Sequence, residues 1–143
     1  MCTALRRGKR SRAVLIVAVL WWMGLGASLA QEAEVRAAGQ QEYQRYCRTC
    51  HGETGKGDGI MARYLTVLPA DLTQLRTKYG GQFPFWDVYA TIEGRKMVTA
   101  HGDGEVPIWG ALFRWEEGGN KAVVRGRILQ LVYYLQSIQA ELR

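Results

Sequence analysis

The sequence predicts an all-α domain, and three observations carry that expectation. Apolar residues recur at three- and four-residue steps in a stretch beginning near Glu32, and again in a stretch ending near Gln139. A third stretch is bracketed by Pro84 and Gly94, which are start and stop signals for a helix. No segment alternates apolar and polar residues convincingly enough to read as a strand.

The first helix is expected from Glu32 to Tyr46. Val35, Gly39, Tyr43 and Tyr46 recur on one face, and Glu32 and Glu34 sit near the positive end of the helix dipole. A glycine inside a helix costs about 1 kcal/mol relative to alanine, so Gly39 predicts a close backbone approach by another element. The expected partner is the last helix, Val124 to Gln139, whose stripe is Ile128, Leu131, Val132, Leu135 and Ile138. The two are expected to cross at Gly39, with Tyr43 and Tyr134 meeting there.

Between them, Gly52 to Gly59 is a glycine-rich loop without the Gly-Lys-Ser/Thr ending or preceding strand of a phosphate-binding loop. Leu68-Pro69-Ala70-Asp71-Leu72 reads as a turn into a short helix capped by Asp71 or Thr73. A further helix starts near Pro84 and runs through Phe85, Val88, Tyr89 and Ile92 to Gly94. Residues 95–120 read as loop, including the turn-like Glu117-Gly118-Gly119-Asn120.

Residues 1–30 have the three parts of a secretory signal: Arg6, Arg7, Lys9, Arg10 and Arg12, then an apolar run from Ala13 to Leu29, then small residues. Cleavage after Ala30 is expected, with membrane contact only if residues 13–29 are retained as an anchor. The remaining domain, residues 31–143, carries 14 basic and 13 acidic side chains, so the net charge of +6 resides mostly in the leader. That near-neutral balance removes the basic stripe a nucleic-acid partner would want. Cys2 leaves with the leader, and Cys47 and Cys50 are then the only thiols.

Those two belong to Cys47-Arg48-Thr49-Cys50-His51. C-x-x-C-H is the spacing at which two thiols attach covalently to haem and the next histidine ligates its iron. A structural zinc site would need four ligands, and outside the motif the chain has one further histidine and no second cysteine pair. A thioredoxin-like dithiol would need a βαβ setting that the flanking segments lack. One covalently attached haem c is therefore the expected cofactor, held by Cys47, Cys50 and His51. The imidazole must be neutral to ligate, with its other nitrogen held by a carbonyl or a water that fixes the tautomer; Pro69, Ala70 and their neighbours are the candidates for such a carbonyl.

Gly39 with Tyr43, Cys47-x-x-Cys50-His51, Gly55-Lys56-Gly57-Asp58-Gly59 and Leu131-x-x-Tyr134-Leu135 follow one another in an order that resembles class I c-type cytochromes, specifically the small exported monohaem kind. The resemblance spans roughly Gly39 to Ile138. It implies a cytochrome c-like fold, with crossing N- and C-terminal helices and with helices and long loops wrapped around one haem. It also implies attachment of that haem outside the cytoplasm, hence a periplasmic location.

In that family the sixth iron ligand is usually a methionine just before a proline, in Met-Pro-x-Trp-Gly. Here the stretch is Val106-Pro107-Ile108-Trp109-Gly110, and valine cannot ligate iron. Met97 would restore His/Met coordination, His101 would give a bis-histidine iron, and the third option is an open position lined by Val106. Met61 is less suited, because it follows the glycine loop on the proximal side.

The resemblance implies single-electron transfer between redox proteins, by weak docking at an exposed haem edge. Arg95, Lys96, Arg114, Lys121, Arg125 and Arg127 are candidates for a basic docking rim. No nucleophile with a base, paired carboxylates or second metal constellation points to an enzyme, and Asp103 and Glu105 read as solvated loop charge. The alternatives are a cytochrome subunit of a dehydrogenase or oxidase complex, and a ligand-binding or sensor protein with an open iron.

Overall fold

A computed structural model of the chain describes residues 29–96 and 108–141. The chain divides into two compact units, Met1–Glu34 and Val35–Arg143. Of the first, only residues 29–34 are described, and they are helical. The second is all α: the described residues contain helices and 3-10 turns and no strand.

Helix α1 covers residues 29–46, and α2 is the four-residue Arg48–His51. The longest remaining helix is α6, Lys121–Ser137, which buries Val124, Ile128, Leu131, Val132, Tyr134 and Leu135. It begins earlier than Val124 because Asn120 is its N-cap, accepting from the backbone N–H groups of Ala122 (3.2 Å) and Val123 (3.3 Å). The N- and C-terminal helices cross at Gly39, as their sequences predict. A Cβ there would overlap the backbone carbonyl of Gln130 and lie 2.9 Å from Tyr134 Cβ. Tyr43 and Tyr134 meet with ring centroids 5.3 Å apart, and the Tyr43 side chain is wholly buried.

Asp71 starts the segment below the site. Its carboxylate accepts from the Thr73 N–H (2.9 Å) and heads the 3-10 turn Leu72–Gln74, which runs into α3, Leu75–Lys78. Gln139 fastens this segment to the end of α6: its amide donates to the carbonyls of Leu72 (2.8 Å) and Leu135 (2.7 Å) and its oxygen accepts from the Arg76 N–H (2.8 Å). Helix α4, Phe85–Glu93, starts after Pro84 and stops at Gly94, whose φ of 92° is left-handed. It packs on α6 and buries Tyr89 and Ile92.

The expected loop from 95 to 120 is corrected in part. Trp109–Glu116 forms helix α5, which packs on α4 and α6 and buries Phe113 completely. Gly110 obscures it in the sequence. That glycine is present because its Cα lies against the backbone of Glu93, where a Cβ would be 2.9 Å from the Glu93 carbonyl carbon. Tertiary packing thus overrides the low helix propensity of glycine.

Candidate functional site

The motif occupies one helical turn. The Cys47 N–H donates to the Tyr43 carbonyl (2.9 Å) and the His51 N–H to the Cys47 carbonyl (2.9 Å), continuing the i to i−4 pattern beyond α1. Positions i, i+3 and i+4 share a helix face, so the two thiols and the imidazole point to one side. All three residues line a single cleft of about 370 Å³, a volume in the range of cofactor sites.

The cleft has walls from distant parts of the sequence. Leu131 and Leu135 come from α6, Val88, Thr91 and Ile92 from α4, Leu72 and Leu75 from the segment after Asp71, and Trp109 from the first position of α5. Leu65, Val67, Leu68, Pro69 and Ala70 complete an apolar lip. Its charged lining residues, Asp87 and Lys96, pair with each other at 2.8 Å and are each about half exposed. Lys96 is held above its usual pKa, chiefly by its hydrogen bond to Asp87.

The loop after the motif acts as a wedge. The Gly57 N–H donates to the His51 carbonyl (2.8 Å), Gly59 to Cys50 (3.1 Å), and Met61 to Thr49 (3.0 Å). Gly57 has φ 81°, and a Cβ on it would run into the Pro69 carbonyl, so only glycine lets the loop slip between the motif turn and residues 69–70. The Tyr43 hydroxyl donates to the Gly52 carbonyl (2.7 Å), tying α1 to the same loop.

That wedge places Ala70. His51 Nδ1 lies 3.0 Å from the Ala70 carbonyl, and since a carbonyl can only accept, Nδ1 carries the proton. The basic lone pair of the neutral ring is then on Nε2. Burial lowers the His51 pKa, and the bond to Ala70 opposes this only in part, so the ring is neutral at neutral pH. Burial, with Glu42 and Cys50 adding to it, pushes the Cys47 thiol up to about 12. This is a protonated thiol, the reverse of the activated thiolate of a redox dithiol. Cys47 and Cys50 are both free thiols and half-buried.

These residues fit a haem. Two thiols and a neutral imidazole with a fixed tautomer share one helix face, open to an apolar cleft, and Ala70 supplies the outer-shell carbonyl expected of a metal-ligating histidine. The arrangement is consistent with covalent haem attachment.

Other expected site residues separate into three groups. Met97, His101, Asp103, Glu105, Val106 and Pro107 lie outside the described residues. Met61 is 40% exposed and precedes the 3-10 turn Ala62–Tyr64. Arg127 is corrected: it is not a docking cation. Its side chain is 11% exposed, with Glu42, Glu116 and Glu117 at 2.8–2.9 Å. Arg95 is paired with Glu93. The cleft residues that sequence reasoning did not reach, among them Leu65, Leu75 and Tyr79, carry no local signal, because only the fold brings them to the motif.

An all-α domain with a C-x-x-C-H turn facing an apolar cleft suits an electron-carrying protein. No protein-family model matches the chain, and no solved structure matches it. A 64-residue stretch, 45% of the chain, is 33% identical to part of the dehydrogenase subunit of alcohol dehydrogenase (quinone) from Acetobacter aceti. The match covers 7% of that much longer protein.

Proposed function

We propose that the protein is an exported monohaem c-type cytochrome, of the class I kind, that carries single electrons between redox proteins in the periplasm. The observation that carries the reading is the placement of Cys47, Cys50 and His51 on one helical turn lining one apolar cleft. Cys47 and Cys50 would hold the haem by thioethers, and His51 would ligate its iron through Nε2. The bound haem supplies reversible one-electron exchange between ferrous and ferric iron.

The chain's own residues do the rest. Ala70 keeps the proton on Nδ1 and so keeps Nε2 basic. Leu131, Leu135, Ile92 and Val88 exclude water from the cleft, which favours the less charged ferrous state. The sixth ligand falls to Met97 or His101, or the position is open; the first two give a filled iron suited to electron carriage. Residues 1–30 would direct export and be removed, and no bond-making chemistry is assigned to the chain. Among the described residues no helix is long and apolar enough to cross a membrane.

The test is production with an intact cytochrome c maturation system. The reading expects a red protein whose mass exceeds the polypeptide by one haem, and loss of that added mass when Cys47 and Cys50 are both replaced by Ala. Colourless protein with the mass of bare polypeptide would refute it.

A second reading is favoured by the sequence shared with a quinone alcohol dehydrogenase subunit. In it the protein is the cytochrome component that accepts electrons from such a dehydrogenase. Stable co-purification with a dehydrogenase would support it over the freely diffusing carrier.

A further inference from the structure

Arg127 stands at the centre of a cluster that joins three helices. Its Nε and Nη2 grip both oxygens of Glu42 on α1 at 3.0 and 2.9 Å. Nη1 donates to Glu116 (2.8 Å) at the end of α5 and to Glu117 (2.9 Å) just beyond it. The guanidinium also lies 4.2 Å from the centre of the Phe113 ring. One cation therefore faces three carboxylates whose side chains are 19%, 22% and 31% exposed. Arg45, stacked over Tyr46 and within electrostatic reach of Glu116, offsets one of the two excess negative charges and leaves the other.

Tyr46 connects this cluster to the cleft. Its hydroxyl donates to Glu116 (2.8 Å) and accepts from Arg127 (3.2 Å), while the same residue lines the cleft beside Cys47 and packs against Trp109 at 5.6 Å. The excess charge is thus one tyrosine side chain away from the cofactor space. The cluster is partly buried, so salt screens it less than a fully exposed pair.

We propose that the Arg127 cluster sets the reduction potential of the redox group in the cleft, its surplus carboxylate charge favouring the oxidised state. The inference rests on the haem reading above. Negative charge near the iron stabilises ferric over ferrous, so removing one carboxylate raises the potential and removing the cation lowers it. A purely structural role makes a different forecast. Loosening the cluster would wet the cleft and lower the potential whichever member was removed.

The experiment is a spectroelectrochemical titration of the holoprotein and of Glu117→Gln, Glu42→Gln and Arg127→Met. At a fixed applied potential, each glutamine variant is expected to raise the ferrous-to-ferric ratio about threefold, equivalent to about 28 mV for a one-electron couple. Arg127→Met is expected to lower it. Glutamine variants that leave the ratio unchanged or lower it overturn the inference while the haem reading stands. If Arg127→Met does not accumulate, the two glutamine variants decide the matter alone. Protein that carries no haem overturns the electron-carrier reading and this inference with it.

Discussion

Replacing Gly39 by Ala sets local and tertiary forces directly against each other. In an isolated helix the change would stabilise α1 by about 1 kcal/mol. In the folded protein the new methyl group would overlap the Gln130 carbonyl, a backbone atom in the middle of α6 that cannot rotate away. It would also press to 2.9 Å on Tyr134 Cβ. The crossing must open, at about 1–3 kcal/mol for overpacking. Opening it also loosens the Tyr43–Tyr134 contact, worth about 0.5–1.5 kcal/mol for an aromatic pair. Set against the propensity gain, the net loss is about 0.5–3.5 kcal/mol. Gly126 supplies the control: it lies inside α6, and a Cβ there would meet nothing within 4 Å. Gly126→Ala is therefore expected to stabilise by up to about 1 kcal/mol. Denaturant unfolding of both variants as holoproteins measures the two signs. A Gly39→Ala protein as stable as the parent, or more so, would refute the close crossing of the first and last helices.

Replacing Arg127 by Met should destabilise by about 3–5 kcal/mol, because three part-buried carboxylates lose their common cation, and urea unfolding measures it. Tyr43→Phe keeps the ring but removes the hydroxyl that donates to the Gly52 carbonyl; a loss of about 1–2 kcal/mol in the same assay is expected. Acid stability should depend on Glu116. Hydrogen bonds from Arg127, then from Tyr46, hold its carboxyl below the usual value of 4.5. Its contribution is present above pH 4.5 and lost as pH falls through the lower folded-state value, so Glu116→Gln should flatten stability against pH below about 4.5. Single Ala replacements of Met97 and His101 should identify the sixth ligand by the visible and near-infrared spectrum of the oxidised holoprotein. An unchanged spectrum in both would exclude both side chains.

The helices, caps and motif were legible because their signals are local. Gly39 announced a crossing, Pro84 and Gly94 bracketed α4, and Asp71 capped its turn, each within a few residues of the structure it specifies. The histidine's carbonyl partner could be narrowed to Pro69, Ala70 or a neighbour, and Ala70 is the one used. Helix α5 was hidden, since Pro107 and Gly110 read as loop until Gly110 is seen against Glu93.

By itself the sequence determined an all-α chain with two thiols and an imidazole on one helical turn, because periodicity and spacing fix which residues share a face. Only the tertiary structure decided what that turn looks onto and which charges are surface charges. Arg127 read as a solvent-facing cation, yet its first partner, Glu42, lies 85 positions away. Burial and charge pairing depend on which distant segments meet. Such contacts leave no mark on the residues beside them in the chain.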